Sequence, residues 1–298
     1  MEAATVKDKD AGKSRRGRFT PYALLGPGLL WLILFFVLPM IFMFSVALYQ
    51  GSLDTTFKFT WHFANFTDAL SNFDSQFVRS FVYAGIATAL CLFIAYPLAY
   101  AIAFKAGKYK NALLFLVIAP FFTTYLIRTY AWQTILSNDG TVVSILSSLG
   151  IADGRVLKTP GAVIAGLTYN YLPFMILPIY ASLEQMDQRL IEAARDLYSS
   201  SRTAFRRVTL PISAPGVVAG TLLTFIPAVG DYINASFLGS NNQAMIGNVI
   251  QSQFLQTKDY PTASALSFIM MALILGVVLI YIRFAGSESL MGEDPIPG

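Results

Sequence analysis

The sequence holds one cysteine, Cys91, and one histidine, His62. A single thiol excludes a disulfide framework and a thiolate metal cluster. A lone imidazole in a polar loop stretch cannot complete a metal site or a Ser/His/Asp set. A phosphate-cradling G-x-x-x-x-G-K-S/T loop is missing too: Gly12-Lys13-Ser14 carries its last three letters without the spacing. The chain is therefore expected to bind no ATP, metal or other cofactor itself and to be no enzyme. No repeat of 20–50 residues stands out. Charge is scarce as well, at 13% of residues, where soluble domains carry about 25%.

What the chain has instead is apolar surface. It is 55% hydrophobic, with a mean hydropathy of +0.57, the composition of a protein solvated by lipid. The net charge of +4 does not require nucleic acid, because membrane proteins collect basic residues on their cytoplasmic side. Six apolar runs of about 20 residues or more lie near 22–48, 78–104, 111–135, 161–183, 212–238 and 261–283, each long enough to cross a hydrocarbon core as a helix. The first is too long for a signal h-region and lacks a small-residue cleavage site, so it reads as an uncleaved span. With six spans, both ends fall on one side. Fifteen Lys and Arg lie in the segments on that side and four in the loops opposite, which predicts cytoplasmic termini in a multi-pass plasma- or inner-membrane protein. The fold class expected is all-α membrane: 1–20 a basic cytoplasmic tail, 21–284 a six-span domain, 285–298 a second tail.

The segment 184–210 is unusual for a cytoplasmic loop. Leu190, Ile191, Ala194 and Leu197 form one helical stripe among Gln188, Arg189, Arg195 and Asp196. A second short segment, 203–208, sets Phe205 and Val208 apart from Arg206 and Arg207, and Pro211 is expected to start the next helix. Such a stripe suits either the lipid headgroups or a groove in a soluble partner. Outside, Ser144 to Gly150 reads as a short helix and Gly239-Ser240-Asn241-Asn242 as a turn. Asn65-Phe66-Thr67 and Asn234-Ala235-Ser236 match a glycosylation pattern that is common by chance.

Glu192-Ala193-Ala194, with Phe205, Val208, Leu210-Pro211 and Pro215-Gly216 downstream, resembles the cytoplasmic EAA loop of ATP-binding-cassette (ABC) importer permeases. The family's glycine falls here on Tyr198, and a tyrosine enters positive φ poorly. Pro120 through Trp132, Tyr171-Leu172-Pro173-Phe174-Met175, Pro227 through Tyr232 and Ile246 through Ile250 resemble spermidine/putrescine-type permeases, in particular the first of their two permease subunits. The resemblance covers about residues 22–284. It implies the type I importer permease fold and polyamine transport. The partners it implies are a second permease, an ATPase homodimer carrying ATP and Mg, and an extracytoplasmic binding protein. It further implies ATPase coupling through Glu192, Ala193, Ala194, Leu197, Tyr198 and Phe205.

Charge inside a span usually faces protein or water. Asp231 lies about 14 residues, or about 21 Å, into the fifth span, where a carboxylate suits a cation and Tyr232 could add a cation–π face. It could instead cap a helix break after Gly230 or pair with a basic residue. Tyr125, Tyr130 and Trp132 are further candidates for the path, and Arg128 is expected to pair with an acid or to snorkel. Pro120, Pro173, Pro178 and Pro227 predict kinks, and Gly216 with Gly220 a close helix contact. Two rival functions remain: the same architecture for an opine, phosphonate or similar solute, for which Arg128 would matter more than Asp231, and a membrane scaffold or sensor with a lipid-binding loop.

Overall fold

The computed structural model describes residues 25–51, 56–148, 150, 156–187, 189 and 200–285. Glu192, Ala193, Ala194, Leu197 and Tyr198 lie outside the described residues, as do the two tails. The described chain is helical apart from a two-stranded ribbon, β1 (Tyr49–Gln50) against β2 (Lys58–Phe59), paired antiparallel.

Five helices are long and apolar enough to cross a bilayer. These are α1 (Leu25–Ala47), α2 (Ala64–Phe104), α6 (Pro160–Glu184), α7 (Arg202–Val229) and α10 (Tyr260–Ala285). The expected span at 111–135 is not one helix. It is α3 (Lys110–Ile118), a 3₁₀ turn at Ala119–Phe122, and α4 (Tyr125–Ile135), with the two halves bent by 94°. Pro120 sits in that turn, and Thr123 and Thr124 are extended. Both threonines are β-branched, which favours extended backbone over helix. Counting the bent pair as one broken span gives up to six crossings.

α6 is the axis of the molecule. Of its most apolar window 61% is buried, against none for α1, and it packs chiefly on α2 and α7. Small residues permit this. A Cβ on Gly216 would fall 2.6 Å from the Pro178 carbonyl oxygen, and one on Gly220 would fall 2.9 Å from Met175 Sδ, so the two glycines let α7 lie directly on α6. α1 leans on α10 and turns Leu30, Trp31, Phe35 and Phe42 outward, the arrangement expected where lipid is the solvent.

Two helices solve the same proline problem alike. In α1 a π-turn at Ile33–Val37 directly precedes Leu38-Pro39, and in α7 one at Phe205–Thr209 directly precedes Leu210-Pro211. A proline lacks an N–H and crowds the carbonyl one turn back. Widening the preceding turn relieves that clash without ending the helix. Pro211 therefore does not start a new helix: α7 begins before it, and the loop expected over 184–210 is helical at both ends.

α2 starts earlier than the expected span, at Ala64, and is kinked at Phe73. The Asn65 amide holds the carbonyls of Ala47 and Tyr49 at 2.9 and 2.8 Å, tying the end of α1 to the start of α2. The remaining helices are short: α5 (Thr141–Ser148), α8 (Ile233–Leu238) and α9 (Ile246–Ser252). The expected turn at Gly239–Asn242 is a capped 3₁₀ turn over Asn241–Gln243.

Candidate functional site

The expected span at 212–238 is interrupted. α7 ends at Val229, Gly230 and Asp231 lie in the gap, and α8 begins at Ile233. Pro227 weakens the last turn of α7 by removing a donor. Gly247, at the start of α9, comes so close to the Gly230 carbonyl that no side chain fits there. Asn248 completes the support by donating to the Tyr232 carbonyl at 2.8 Å and to Ser236 Oγ at 2.7 Å. Its neighbours are fastened to α2: the Ile246 amide donates to Ser80 Oγ at 2.7 Å, and Arg79 Nη1 donates to the Ala244 carbonyl at 2.7 Å.

This break delivers Asp231 to the interior, where it is 6% exposed. Its Oδ1 accepts from the Asn234 amide at 2.7 Å, which closes the first turn of α8. Its Oδ2 is surrounded by donors: the Tyr125 hydroxyl, the Tyr171 hydroxyl at 3.1 Å and Asn234 Nδ2 at 3.2 Å. Asn234 Nδ2 also donates to the Tyr125 hydroxyl at 2.5 Å, and Asn170 Nδ2 donates to Asn234 Oδ1 at 3.2 Å. Four elements meet in this network: α4, α6, α8 and the α7–α8 break. The reading of Asp231 as a helix-break cap is thus what the backbone shows, and the carboxylate remains at the wall of a hollow.

That hollow has a volume of about 340 Å³. Phe121, Arg128, Tyr171, Phe174, Asp231 and Tyr232 are among the residues lining it. The Tyr125 and Tyr171 rings stand 6.4 Å apart beside the carboxylate, so one wall combines negative charge with aromatic faces. Such a wall can receive an ammonium through charge, hydrogen bonds and ring quadrupoles together. A hollow of equal volume between α2, α7 and α10, lined by Gly85, Leu92, Phe225 and Val278 among others, is almost wholly apolar and cannot select a polar solute by charge.

The sequence candidates divide. Tyr125, Asp231 and Tyr232 reach the hollow; Tyr130 and Trp132 do not line it. Tyr130 is 61% exposed on the outside of α4, and Trp132 packs edge-on to Tyr169 at 5.3 Å. Arg128 neither snorkels nor pairs with an acid among the described residues: it is 9% exposed, with Nε and Nη1 lacking any acceptor. Phe205 packs edge-on against Tyr96 at 5.6 Å and Tyr100 at 6.2 Å, so the beginning of α7 rests on the end of α2. Tyr171, Asn170 and Asn234 were not singled out as site residues. The available signal was an amide side chain inside an apolar run, at Asn170 and again at Asn234. The same network occupies Asn234, so its match to a glycosylation pattern lies in a buried side chain.

Comparison with known proteins gives concordant results. Residues 95–286 match the family model described as binding-protein-dependent transport system inner membrane component. The chain is 39% identical over 256 residues to the spermidine/putrescine transport system permease protein PotB of Haemophilus influenzae, covering 85% of this chain and 90% of that one. It is 38% identical over 253 residues to PotB of Escherichia coli, covering 84% and 92%. Among solved structures it resembles a chain of a bacterial alginate ABC transporter in complex with an alginate pentasaccharide-bound periplasmic protein. The TM-score is 0.67 at 21% identity, over 92% of this chain and 96% of that one, which speaks for the fold alone.

Proposed function

Because this chain belongs to the family of binding-protein-dependent transport system inner membrane components, multi-pass proteins of the inner membrane, we propose that it is the permease subunit through which an ABC importer passes polyamines such as spermidine and putrescine into the cytoplasm. One observation carries the choice of cargo. In a chain 39% identical to a permease of that name, the one carboxylate among the described residues lining the hollow stands in a cage of tyrosines. A protonated amine is the chemistry such a cage accepts.

In this reading the chain crosses the membrane six times, with the bent pair α3–α4 as one crossing and both termini in the cytoplasm. The fifteen-to-four distribution of basic residues supports that orientation. A second permease completes the path, an extracytoplasmic binding protein delivers the cargo, and an ATPase homodimer holds ATP and Mg and docks on 184–210 through Glu192, Ala193, Ala194, Leu197 and Tyr198. Phe205 would carry the push from that loop to α2 by its contacts with Tyr96 and Tyr100.

At the site, the Asp231 carboxylate meets one ammonium. Tyr125 and Tyr171 hold that carboxylate in place, while their rings and that of Tyr232 face the cation. Hydrogen bonds to a charged group contribute about 1.5–3 kcal/mol each, enough for them to fix the carboxylate rather than let it follow the cargo. Reconstitution of the whole complex in proteoliposomes tests the reading. ATP-dependent uptake of spermidine or putrescine is expected, and uptake of an opine or a phosphonate in its place would overturn the cargo assignment. Absence of ATPase co-purification through 184–210 would favour a scaffold.

A further inference from the structure

Arg128 is hard to reconcile with a cavity that admits cations. Arg128 is 9% exposed, its guanidinium lies 5.3 Å from the Phe121 ring centroid and 5.6 Å from that of Tyr125, and Nε and Nη1 have no acceptor among the described residues. Cation–π contact contributes about 0.5–2 kcal/mol. An unpaired buried charge costs several kcal/mol. An acceptor brought within reach would therefore stabilise the Arg128 guanidinium.

The hollow offers few. Asp231 is the only carboxylate among the described residues lining it. Its Oδ2 already meets three donors, while Oδ1 accepts only the Asn234 amide, so Oδ1 retains accepting capacity. Asn170 Oδ1, also at the hollow, is buried with no donor. No ion pair joins Arg128 to Asp231 in this state, yet each is carried by a jointed element. Arg128 is on α4, beyond the 94° bend, and Asp231 is in the gap between α7 and α8.

We propose that Arg128 is a tethered counter-cation: in a cargo-free state of the transport cycle other than the one described, its guanidinium closes onto Asp231, and the cargo ammonium displaces it. The proposal rests on the reading of Asp231 as the cargo-binding carboxylate. It gives Arg128 two duties. The cargo must outcompete a cation already present, which sets a threshold of affinity. The empty cavity is also held in one arrangement, which restrains transport cycles that carry nothing.

The test uses the complete complex in proteoliposomes with spermidine as cargo. Arg128→Gln removes the charge and keeps a polar side chain. If the pair holds the empty cavity about nine-tenths of the time, only about a tenth of the sites is competent, and releasing them lowers the apparent KM about tenfold. ATP hydrolysis without cargo should rise at the same time, and Arg128→Lys should stay near the parent in both readouts. In an Asp231→Asn background, read at correspondingly higher spermidine, Arg128→Gln should leave KM unchanged, because the pair is already gone. A KM drop that persists in that background would show simple repulsion and overturn the proposal, as would an unchanged or raised KM in Arg128→Gln alone. Should Arg128→Gln fail to assemble, Arg128→Met keeps the packing of the stem and reads the same KM. A parent complex that imports an acidic solute and loses that uptake on Arg128→Gln would instead make Arg128 an anion subsite. Failure of the parent to import any polyamine would refute the proposed function, a result distinct from all of these.

Discussion

Replacing Asp231 by asparagine changes one atom and removes one charge. The shape is kept, so the loss can be worked from the contacts. Asp231 accepts from four donors, three on Oδ2 and one on Oδ1. An amide has one oxygen. If that oxygen faces the tyrosines, the new NH₂ meets the Asn234 amide, donor against donor, and α8 loses its cap. If it faces the Asn234 backbone, the NH₂ meets the Asn234 Nδ2 donor, and the two hydroxyls lose the oxygen they donate to. Either way a buried donor is left unmatched, at about 1–3 kcal/mol. The cargo ammonium separately loses its charged partner, at about 1.5–3 kcal/mol for a charge-assisted bond. Taking about 3 kcal/mol for the transport step, kcat/KM for spermidine should fall about 100-fold. The assay is ATP-driven uptake of labelled spermidine into proteoliposomes, titrated over cargo concentration. Co-purification of the partner permease and the ATPase, together with the melting temperature, separates a damaged site from a damaged fold. An assembled Asp231→Asn complex with an unchanged uptake curve would refute the assignment of this carboxylate to the cargo.

Three other outcomes follow from the same structure. Tyr125→Phe should cut kcat/KM about tenfold and Tyr171→Phe less, since only the Tyr125 hydroxyl bridges Asp231 to Asn234; equal, negligible losses in uptake would contradict the cage. Gly166→Ala places a methyl against Leu238 and 2.6 Å from Asn234 Oδ1, so the detergent-solubilised complex should lose about 1–3 kcal/mol of stability, read as a lower melting temperature. Pro211→Ala restores a backbone donor and removes the cause of the π-turn at Phe205–Thr209. Rewinding that turn rotates the chain before it by about 100° against the rest of α7, so ATP hydrolysis should persist while uptake per ATP falls; an unchanged ratio would show that the turn has no part in coupling.

Much of the architecture is readable as hydropathy. The apolar run at 161–183 becomes Pro160–Glu184, and that at 261–283 becomes Tyr260–Ala285, because the thickness of lipid imposes both lengths. Where helix length and lipid thickness part company the reading fails. α2 reaches back to Ala64 through Asp68, Ser71, Asn72 and Asp74, residues too polar for a hydropathy window and quite compatible with a helix in water. The two breaks are invisible to hydropathy for another reason: it sums side chains and knows nothing of backbone direction. Their local marks differ: Pro120 predicts only a kink, and Thr123-Thr124 carries no reading of its own, whereas Gly230 after Pro227 already offers a helix break as one reading of Asp231. Asp231 stood out as a charge in an apolar run. Of its cage only Tyr125 stood out; Asn170 and Tyr171 are distant in sequence from Asp231 and Asn234, and only the folding of α4 and α8 onto α6 unites them. The unmatched guanidinium of Arg128 is a property of that union and has no counterpart in the one-dimensional pattern.

The carboxylate at the α7–α8 break is at once a wall of the cavity and the first hydrogen-bond acceptor of α8. A charge with both attachments works like a spring clip. Whatever draws on it from the cavity side slackens its hold on the Asn234 amide, and whatever tightens α8 stiffens the wall. α8 in turn lies against α6 at Gly166, where no side chain intervenes. If a cation binds there as proposed, its presence or absence is converted into the tautness of a six-residue helix seated on the central axis of the molecule.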